Sequence, residues 1–532
     1  MQHSTDPLVV RAEKLDAIRK LGIDPYPHCF HRTHRAQEIL DGFAQLEEQQ
    51  AVAVAGRLRS LRPMGKAAFG HIEDLSGSIQ VYFRQDILGA EAYELVRLLD
   101  LGDLIGVRGR AFRTRMGEIS LRVEELTLLA KALRPMPVVK EKEGRVFDAF
   151  SDREMRYRRR DLDLMVNRAT REVFRKRAAA LQALRRYLDE HGFLEVETPV
   201  LQATYGGAAA RPFHTHHHVL DADLYLRIAE ELPLKKLLVG GLERVYEIGR
   251  VFRNEGVDRH HNPEFTLLEF YWAYADYTDA MDLVEDLFRW TARAVTGGLR
   301  VGGGGGGEDG EAGEPAASVD LAPPFARRSM LELIREETGA EVLAMSTEEL
   351  AALCERFGSG LPPASAPGKW IERIFDLAVA PTLIAPTFVT DHPKAVSPLA
   401  KAHRRHPEML VERFELFILG QEFANAFTEL NDPAEQRRRF EEQRAFREAG
   451  DLEAHPLDED YLQALEQGMP PAAGVGVGVD RLVMLLTGAP AIKDVLLFPH
   501  MRSLEAGSAG EPPAGVPGEE GSSEEAAGEV LP

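Results

Sequence analysis

The chain has 532 residues, 44% of them hydrophobic and 25 of them Phe, which is enough for two or three domains with buried cores. No apolar run reaches the about 18–20 residues that cross a bilayer, and the start, MQHSTDPLVVRAEKLDAIRK, lacks an apolar signal core, so membrane and secretory classes are disfavoured. The formal charge of −21 is uneven: twelve acids and no base fall within Gly302–Asp320 and Leu504–Pro532, and the remaining −9 leaves RNA binding through local basic patches open.

Leu8, Ala12, Leu15, Ile18 and Leu21 recur at helical spacing and stop at Gly22, so a helix is expected over Pro7–Gly22. A second short helix is expected over Arg35–Gln50. The period then changes. Ala51–Leu58, Ala68–Asp74, Ile79–Phe83, Leu104–Phe112 and Ile119–Leu128 are short runs of strand formers between Gly-containing turns, with a helix over Ala90–Leu99. Five strands with a helix after the third follow the order of an OB-fold barrel, a common reader of single-stranded nucleic acid. Small barrels also bind sugars and proteins, so the order alone leaves the ligand open.

Residues 136–160 read as a charged linker. Arg153, Arg156, Arg158, Arg159 and Arg160 within it fit an RNA-facing patch or a solvated linker face equally well. A long helix is expected from Ala169 to His191, closed by Gly192. Helices and hairpin-like strands then alternate through Arg502, with strands expected at Tyr225–Ile228, Val245–Val251, Thr266–Tyr274, Phe414–Leu419, Glu422–Glu429 and Ala473–Val479. That pattern predicts an α+β catalytic domain on a mainly antiparallel sheet over 161–502. An insertion at about 302–324 and a tail at 503–532, rich in Gly, Ala, Pro and Glu, are expected to be disordered. Only Cys29 and Cys354 occur, outside any CxxC pattern, which favours a reducing, cytoplasmic setting and no thiolate zinc site. His214-Thr-His-His-His218 alternates faces on a strand, so at most two of its rings could share an ion.

Three segments carry chemistry. In Tyr246–Tyr271, an Arg at 253 can hold an α-phosphate and a carboxylate together, Phe265 can stack on a purine, and Glu269 and Tyr271 share strand parity. Alone, that segment fits a surface ion-pair hairpin as well. In Phe414–Asp432, Glu415 and Glu422 lie on adjoining strands; such a pair repels unless a cation lies between, and oxygen-only ligation suits Mg²⁺ on a nucleotide. Asn425, Phe427 and Glu429 follow at period two. In Gly474–Leu486, a strand meets a helix at Asp480-Arg481, where Arg481 can reach a polyphosphate or cover a base. There is no GxxxxGK[ST] loop, and the glycines of Gly474-Val-Gly-Val-Gly478 alternate at strand period, which disfavours P-loop and dinucleotide sites.

With Gly192-Phe-Leu-Glu-Val-Glu-Thr-Pro199, these segments resemble the three signature motifs of class II aminoacyl-tRNA synthetases in order and spacing. RNEG…RHHNPEFT, FANAFTELNDP, GVGVGVDRLVML and the barrel segment GKAAFGHIEDLSGSIQVYF look like the bacterial lysyl-tRNA synthetase family. The resemblance runs from about Asp6 to Arg502 and implies a homodimer, joined at the motif ending in Pro199, that acts on lysine, ATP and tRNA(Lys), with no DNA or membrane partner. It implies that Arg253 and Arg481 are the catalytic arginines. Glu255, His261, Asn262 and Phe265 would complete the ATP site with them, and Glu415 and Glu422 would hold Mg²⁺. Lysine would meet Gly207, Glu231, Arg253, Asn425 and Phe427, with Glu269, Tyr271 and Glu429 around its ε-ammonium. Phe69, Gln80 and Glu118 would read the anticodon over a barrel at 51–135, after a helical segment at 1–50. Three departures from the family stand out: Ala209 stands where a serine or threonine is usual, Asp161 where an aromatic is, and Ala424 and Ala426 where small glycines are.

The implied pocket is electrostatically coherent. Desolvating a substrate ammonium is costly unless carboxylates and a hydroxyl replace its water. An aspartyl or asparaginyl enzyme of the same subclass would instead need a cation there, and a paralogue that modifies a protein lysine would be expected to lack the barrel.

Overall fold

The computed structural model describes residues 6–137, 140–142, 145–147, 150–303, 317–358, 360–361, 365–448 and 454–502. The chain divides into two units, Met1–Ser151 and Asp152–Pro532.

The first unit opens with helix α1 (Pro7–Lys20). Asp6 caps it by accepting from the Leu8 N–H, and Pro7 occupies a first-turn position where no N–H is missed. The single helix expected over Arg35–Gln50 is instead two short ones, Ala36–Asp41 and Phe43–Leu46. Gly42 ends the first, and Glu48 turns the chain with a positive φ. Five strands follow: β1 (Ala51–Met64), β2 (Ala67–Glu73), β3 (Ser78–Arg84), β4 (Leu104–Arg113) and β5 (Ile119–Ala130). They close a barrel in the order β1-β2-β3-β5-β4. β1 is longer than its apolar run because its first half pairs with β4 and its second with β2, across a bulge between Leu58 and Ser60. Alternation along β2 and β3 buries Ala68, Ile72, Ile79, Val81 and Phe83 and leaves Phe69, His71, Gln80 and Tyr82 on the other face. The helix α2 (Ala90–Leu98) lies between β3 and β4 in sequence.

In the second unit the arginine run is not a basic patch. It forms the helix Arg153–Arg158 and enters the next, Arg160–Val166. Arg156 and Arg160 both pair with the buried Asp163, Arg158 pairs with Glu154, and Arg159 with Asp161. The long helix α3 (Arg168–Glu190) stops near Gly192 as expected.

The sheet comprises β6 (Leu194–Glu195), β7 (Arg244–Phe252), β8 (Glu264–Ala273), β9 (Ala326–Ser329), β10 (Thr387–Pro393), β11 (Leu410–Ile418), β12 (Gln421–Thr428) and β13 (Ala472–Gly478). Its order is β9-β10-β11-β12-β13-β8-β7-β6, antiparallel except for the two outermost pairs. Residues of α3, of α4 (Tyr277–Thr296) and of α5 (Val479–Thr487) join those of β8, β11, β12 and β13 in one core around Leu184, Phe270, Phe288, Phe414, Val477 and Leu482. Burying those apolar side chains is the main favourable term that holds the central strands in place. The insertion expected at 302–324 is ordered at both ends: Arg300–Gly302 pairs with Ser318–Asp320, and Val301, Val319 and Leu321 are buried. Those three apolar side chains are what the Gly- and Glu-rich composition obscures; residues 304–316 and the tail expected at 503–532 lie outside the described residues. Among the described residues, no helix is long and apolar enough to cross a membrane.

Candidate active site

A cavity of about 740 Å³ opens over the central strands of the second unit. Its floor is β13, where Gly474, Gly476 and Gly478 face inward between Val475 and Val477 of the core. A Cβ on Gly474 would collide with the Glu429 carboxylate and the Tyr271 ring, whereas one on Gly476 would meet nothing nearer than 3.9 Å. The glycines expected at strand period therefore make room. At the β13–α5 junction, Asp480 accepts from Arg177 (2.5 Å) and from the Thr266 N–H (2.8 Å), fixing the helix start and aiming Arg481 into the cavity.

Fourteen of the fifteen residues expected at the catalytic centre line this cavity: Gly207, Glu231, Arg253, Glu255, His261, Asn262, Phe265, Glu269, Tyr271, Glu415, Glu422, Asn425, Phe427 and Arg481. Glu429 does not reach its wall; it lies fully buried behind Gly474. Gly207 has φ +87°, and a Cβ there would stand 2.9 Å from the Cβ of Glu231, so glycine is required beside that carboxylate. Ala209 also lines the cavity, with no hydroxyl to offer.

At one end of the cavity carboxylates gather. Tyr271 donates to Glu269 at 2.9 Å, and the Glu230 N–H donates to the other Glu269 oxygen at 3.1 Å. Burial, reinforced by Glu231, pushes the Glu269 carboxyl up to about 7, and burial with Glu269 holds the Tyr271 hydroxyl well above its ordinary range. Burial also raises Glu231 and Glu429, with Lys235 acting against it. Lys235, on the helix Glu231–Val239, is itself fully buried and pairs with both. Sequence reasoning missed it, although its i,i+4 spacing from Glu231 was there to be seen.

At the other end, Glu415 accepts from Arg413 (2.5 Å), and Glu422 meets Arg481 at 3.4 Å, while Arg481 also donates to the Glu422 carbonyl at 2.6 Å. Burial and then Glu415 raise Glu422 above the usual carboxylate range. Nearby Glu372 and Asp376, also missed, are pushed up to about 7 and about 6 by burial. Both line the same cavity. Lys369, Arg373, Arg413 and Arg481 stand among these four acids, so the end is densely charged rather than uniformly negative. Among the described residues, no three His, Cys, Asp or Glu converge as a complete metal cage. A pair of carboxylates with room beside it is what Mg²⁺ on a polyphosphate needs, since that ion takes one or two protein carboxylates and fills its octahedron from phosphate and water.

Between the two ends, Arg253 lies over the Phe265 ring at 5.1 Å and donates to the Ile228 carbonyl at 3.4 Å. Burial works against its charge, and Glu255, Glu422 and Glu269 support it. Asn262 is engaged with the Glu264 carbonyl and the His500 N–H, and His261 with Asp258 and Arg481. In the histidine cluster, His214 and His216 both approach Asp223, at 3.6 and 2.8 Å.

On the barrel, Gln80 uses both ends of its amide: it donates to Glu118 (2.6 Å) and accepts from Ser120 (2.6 Å). His71 holds the other Glu118 oxygen at 2.9 Å. Phe69 stacks on Tyr82, with centroids 4.3 Å apart, and Tyr82 in turn approaches Phe112. The three expected readers thus share one face with an aromatic row of which Phe69 alone was foreseen.

The family model for class II tRNA synthetases of the D, K and N type matches residues 152–502, and that for the OB-fold nucleic acid binding domain matches residues 52–129. The chain belongs to the class II tRNA synthetases. Among its relatives, the lysine–tRNA ligase of Moorella thermoacetica is 50% identical over 95% of this chain and 99% of its own length. That of Pelotomaculum thermopropionicum is 52% identical over 93% and 95%, and that of Bacillus subtilis 48% over 93% and 97%. The synthetase model spans the cavity and the OB-fold model the Gln80 network, so both candidate sites sit inside family domains.

Proposed function

We infer that the chain is a lysine–tRNA ligase: it joins lysine to ATP as lysyl-adenylate, releases pyrophosphate, and passes lysine to the 3′ end of tRNA(Lys). The observation that carries the specificity is the gathering of Glu231, Glu269 and the Tyr271 hydroxyl at one end of the cavity, with Glu429 buried behind them. Such a site exchanges the water around an ammonium for fixed carboxylates, and it would repel the carboxylate of aspartate. Full-length relatives that carry the lysine–tRNA ligase name support the same reading.

In this reading Glu231 and the Gly207 carbonyl take the α-ammonium, Glu269, Tyr271 and Glu429 serve the ε-ammonium, and Phe427 flanks the chain. Arg253 and Asn425 hold the carboxylate. That carboxylate is already the nucleophile, so no general base is required, and Arg253 lowers the barrier by neutralising charge as the carboxylate oxygen attacks the α-phosphorus and the bond to pyrophosphate breaks. Phe265 and Arg481 flank the base, while Glu255, His261 and Asn262 complete the nucleotide site. Glu415 and Glu422 hold Mg²⁺, which when bound offsets the negative charge of the triphosphate. Phe69, Gln80 and Glu118 read the anticodon. The edge strand β6, where Leu194 is 53% exposed, and Leu201 just beyond Pro199, 48% exposed, support a homodimer joined along the segment that ends at Pro199. The free thiols Cys29 and Cys354 fit the cytoplasm.

Exchange of labelled pyrophosphate into ATP, run with lysine, aspartate, asparagine and arginine in turn, tests the proposal. Exchange with lysine alone is expected; exchange with another of the four in place of lysine refutes the specificity.

A further inference from the structure

Behind the proposed lysine end of the cavity lies a second, buried ammonium. Lys235 has no exposed side-chain surface, pairs with Glu231 on its own helix and with Glu429 beyond β12, and lies 5.6 Å from the Phe427 ring centroid. A buried ammonium costs several kcal/mol unless other charges replace its water, and no step of adenylate formation needs a second amine here. Its value emerges from the balance of charge. Glu231, Glu269 and Glu429 bring three negative charges and Lys235 one positive. A lysine substrate adds two ammonium groups, which closes the set at zero, and its carboxylate is matched by Arg253. Glu230 belongs to a neighbouring set: Arg227 pairs with it at 3.0 Å and with Glu247 at 2.6 Å, while burial and then Glu269 push the Glu230 carboxyl well above its usual range.

We propose that Lys235 is a positioning residue that acts as the pocket's internal counter-cation, favouring the charged forms of Glu231 and Glu429 and holding both in place so that the site can match a substrate with two ammonium groups. The inference rests on the assignment of this pocket to lysine. The surroundings support it. Burial opposes the Lys235 charge, but Glu231 and then Glu429 outweigh burial and keep the ammonium above its ordinary value. The buried Tyr461 hydroxyl also faces it, and Tyr271 and Glu269 approach from β8. His455, pushed down to about 4 by burial and by Lys235, stays neutral. Arg413 also acts on Glu231 and Arg253 on Glu269, but Lys235 is the cation paired directly with both Glu231 and Glu429, so without it both carboxyls rise further, and lysine must displace a proton to bind.

The test is the pH dependence of the lysine KM in pyrophosphate exchange, measured on the full chain and on Lys235→Met and Lys235→Arg at saturating ATP. The wild-type KM is expected to rise as pH falls through about 7. Lys235→Met should move that rise at least about one unit upward, so that the lysine KM at pH 7, where half of the wild-type sites already carry the proton, grows about fivefold or more, while the ATP KM stays within about twofold. Lys235→Arg keeps the charge and should keep the wild-type midpoint even if its absolute KM changes. A Lys235→Met midpoint at or below the wild-type one, or a Lys235→Arg midpoint displaced upward, overturns the proposal; if Lys235→Met does not fold, the Lys235→Arg midpoint decides alone. Glu269→Gln, run in parallel, separates the two levels. Unchanged lysine KM in that variant removes the pocket assignment and this inference together, whereas a raised KM beside an unmoved Lys235→Met midpoint removes only the counter-cation role.

Discussion

At Glu269 two demands meet: the carboxyl must be dry enough to matter to an ammonium, yet ionised when lysine arrives. Its carboxyl is raised to about 7 by burial and Glu231, while the Glu230 N–H, Tyr271 and Arg253 limit the rise. Only the ionised form attracts an ammonium, so lysine affinity is full above about pH 7 and is lost as pH falls through that value. A lysine KM from pyrophosphate exchange that is flat between pH 6 and 8 contradicts this. Glu269→Gln keeps the shape and removes the charge. Hydrogen bonds to charged groups contribute about 1.5–3 kcal/mol, so kcat/KM for lysine should drop about 10- to 150-fold. The ATP KM should hardly change. Most residues of this centre were legible because motifs put unusual side chains at fixed spacing. Lys235 and Arg413 were not, because a lysine in an amphipathic helix and an arginine in a strand look alike in sequence whether they serve a site or face water. Burial tells them apart.

Among the elements, β13 shows how a pattern can be read correctly in period yet remain silent on purpose. The alternation of glycine with valine predicts a strand, and Ala472–Gly478 is one. That the glycines form a cavity floor depends on Glu429, Tyr271 and Glu269, which approach from elsewhere in the chain. Two substitutions separate packing from binding. Gly474→Ala forces a Cβ into the Glu429 carboxylate and the Tyr271 ring, and overpacking of this kind costs about 1–3 kcal/mol; its urea midpoint should fall and lysine activation with it. Gly476→Val projects into open space, so its midpoint should match wild type while the lysine KM rises about tenfold or more. Equal stability loss in both would mean that Gly476 is packed rather than open. The arginine run Arg153–Arg160 gives the opposite lesson: five bases in eight residues fit a patch or a solvated face equally, but Glu154, four residues before Arg158, and Asp163, three after Arg160 and seven after Arg156, pair with three of them.

Over the whole chain, two units divide the labour in the proposed reaction: one recognises tRNA and the other makes the adenylate. Gln80→Ala should therefore lower tRNA charging at least about tenfold while pyrophosphate exchange stays within about twofold, because the Glu118–Gln80–Ser120 network lies entirely within the barrel. Parallel losses in both assays would show that the barrel variant damages the fold. The five barrel strands and five of the eight in the large sheet were readable from period and turn residues, whereas β6, β9 and β10 were not foreseen. The ordered ends of the insertion were not, because three buried apolar residues among glycines and acids barely alter composition. What unites the molecule is the claim that carboxylates, freed of water, choose the substrate by its charged tip. Norleucine tests this most directly, being close to lysine in shape but lacking the ε-ammonium. Sites built to bond a polar group reject the analogue without it by about 10⁴–10⁵ in kcat/KM. A lysine-to-norleucine ratio of that order in pyrophosphate exchange, falling in Glu269→Gln, is the predicted result; norleucine activated within about tenfold of lysine would contradict the account.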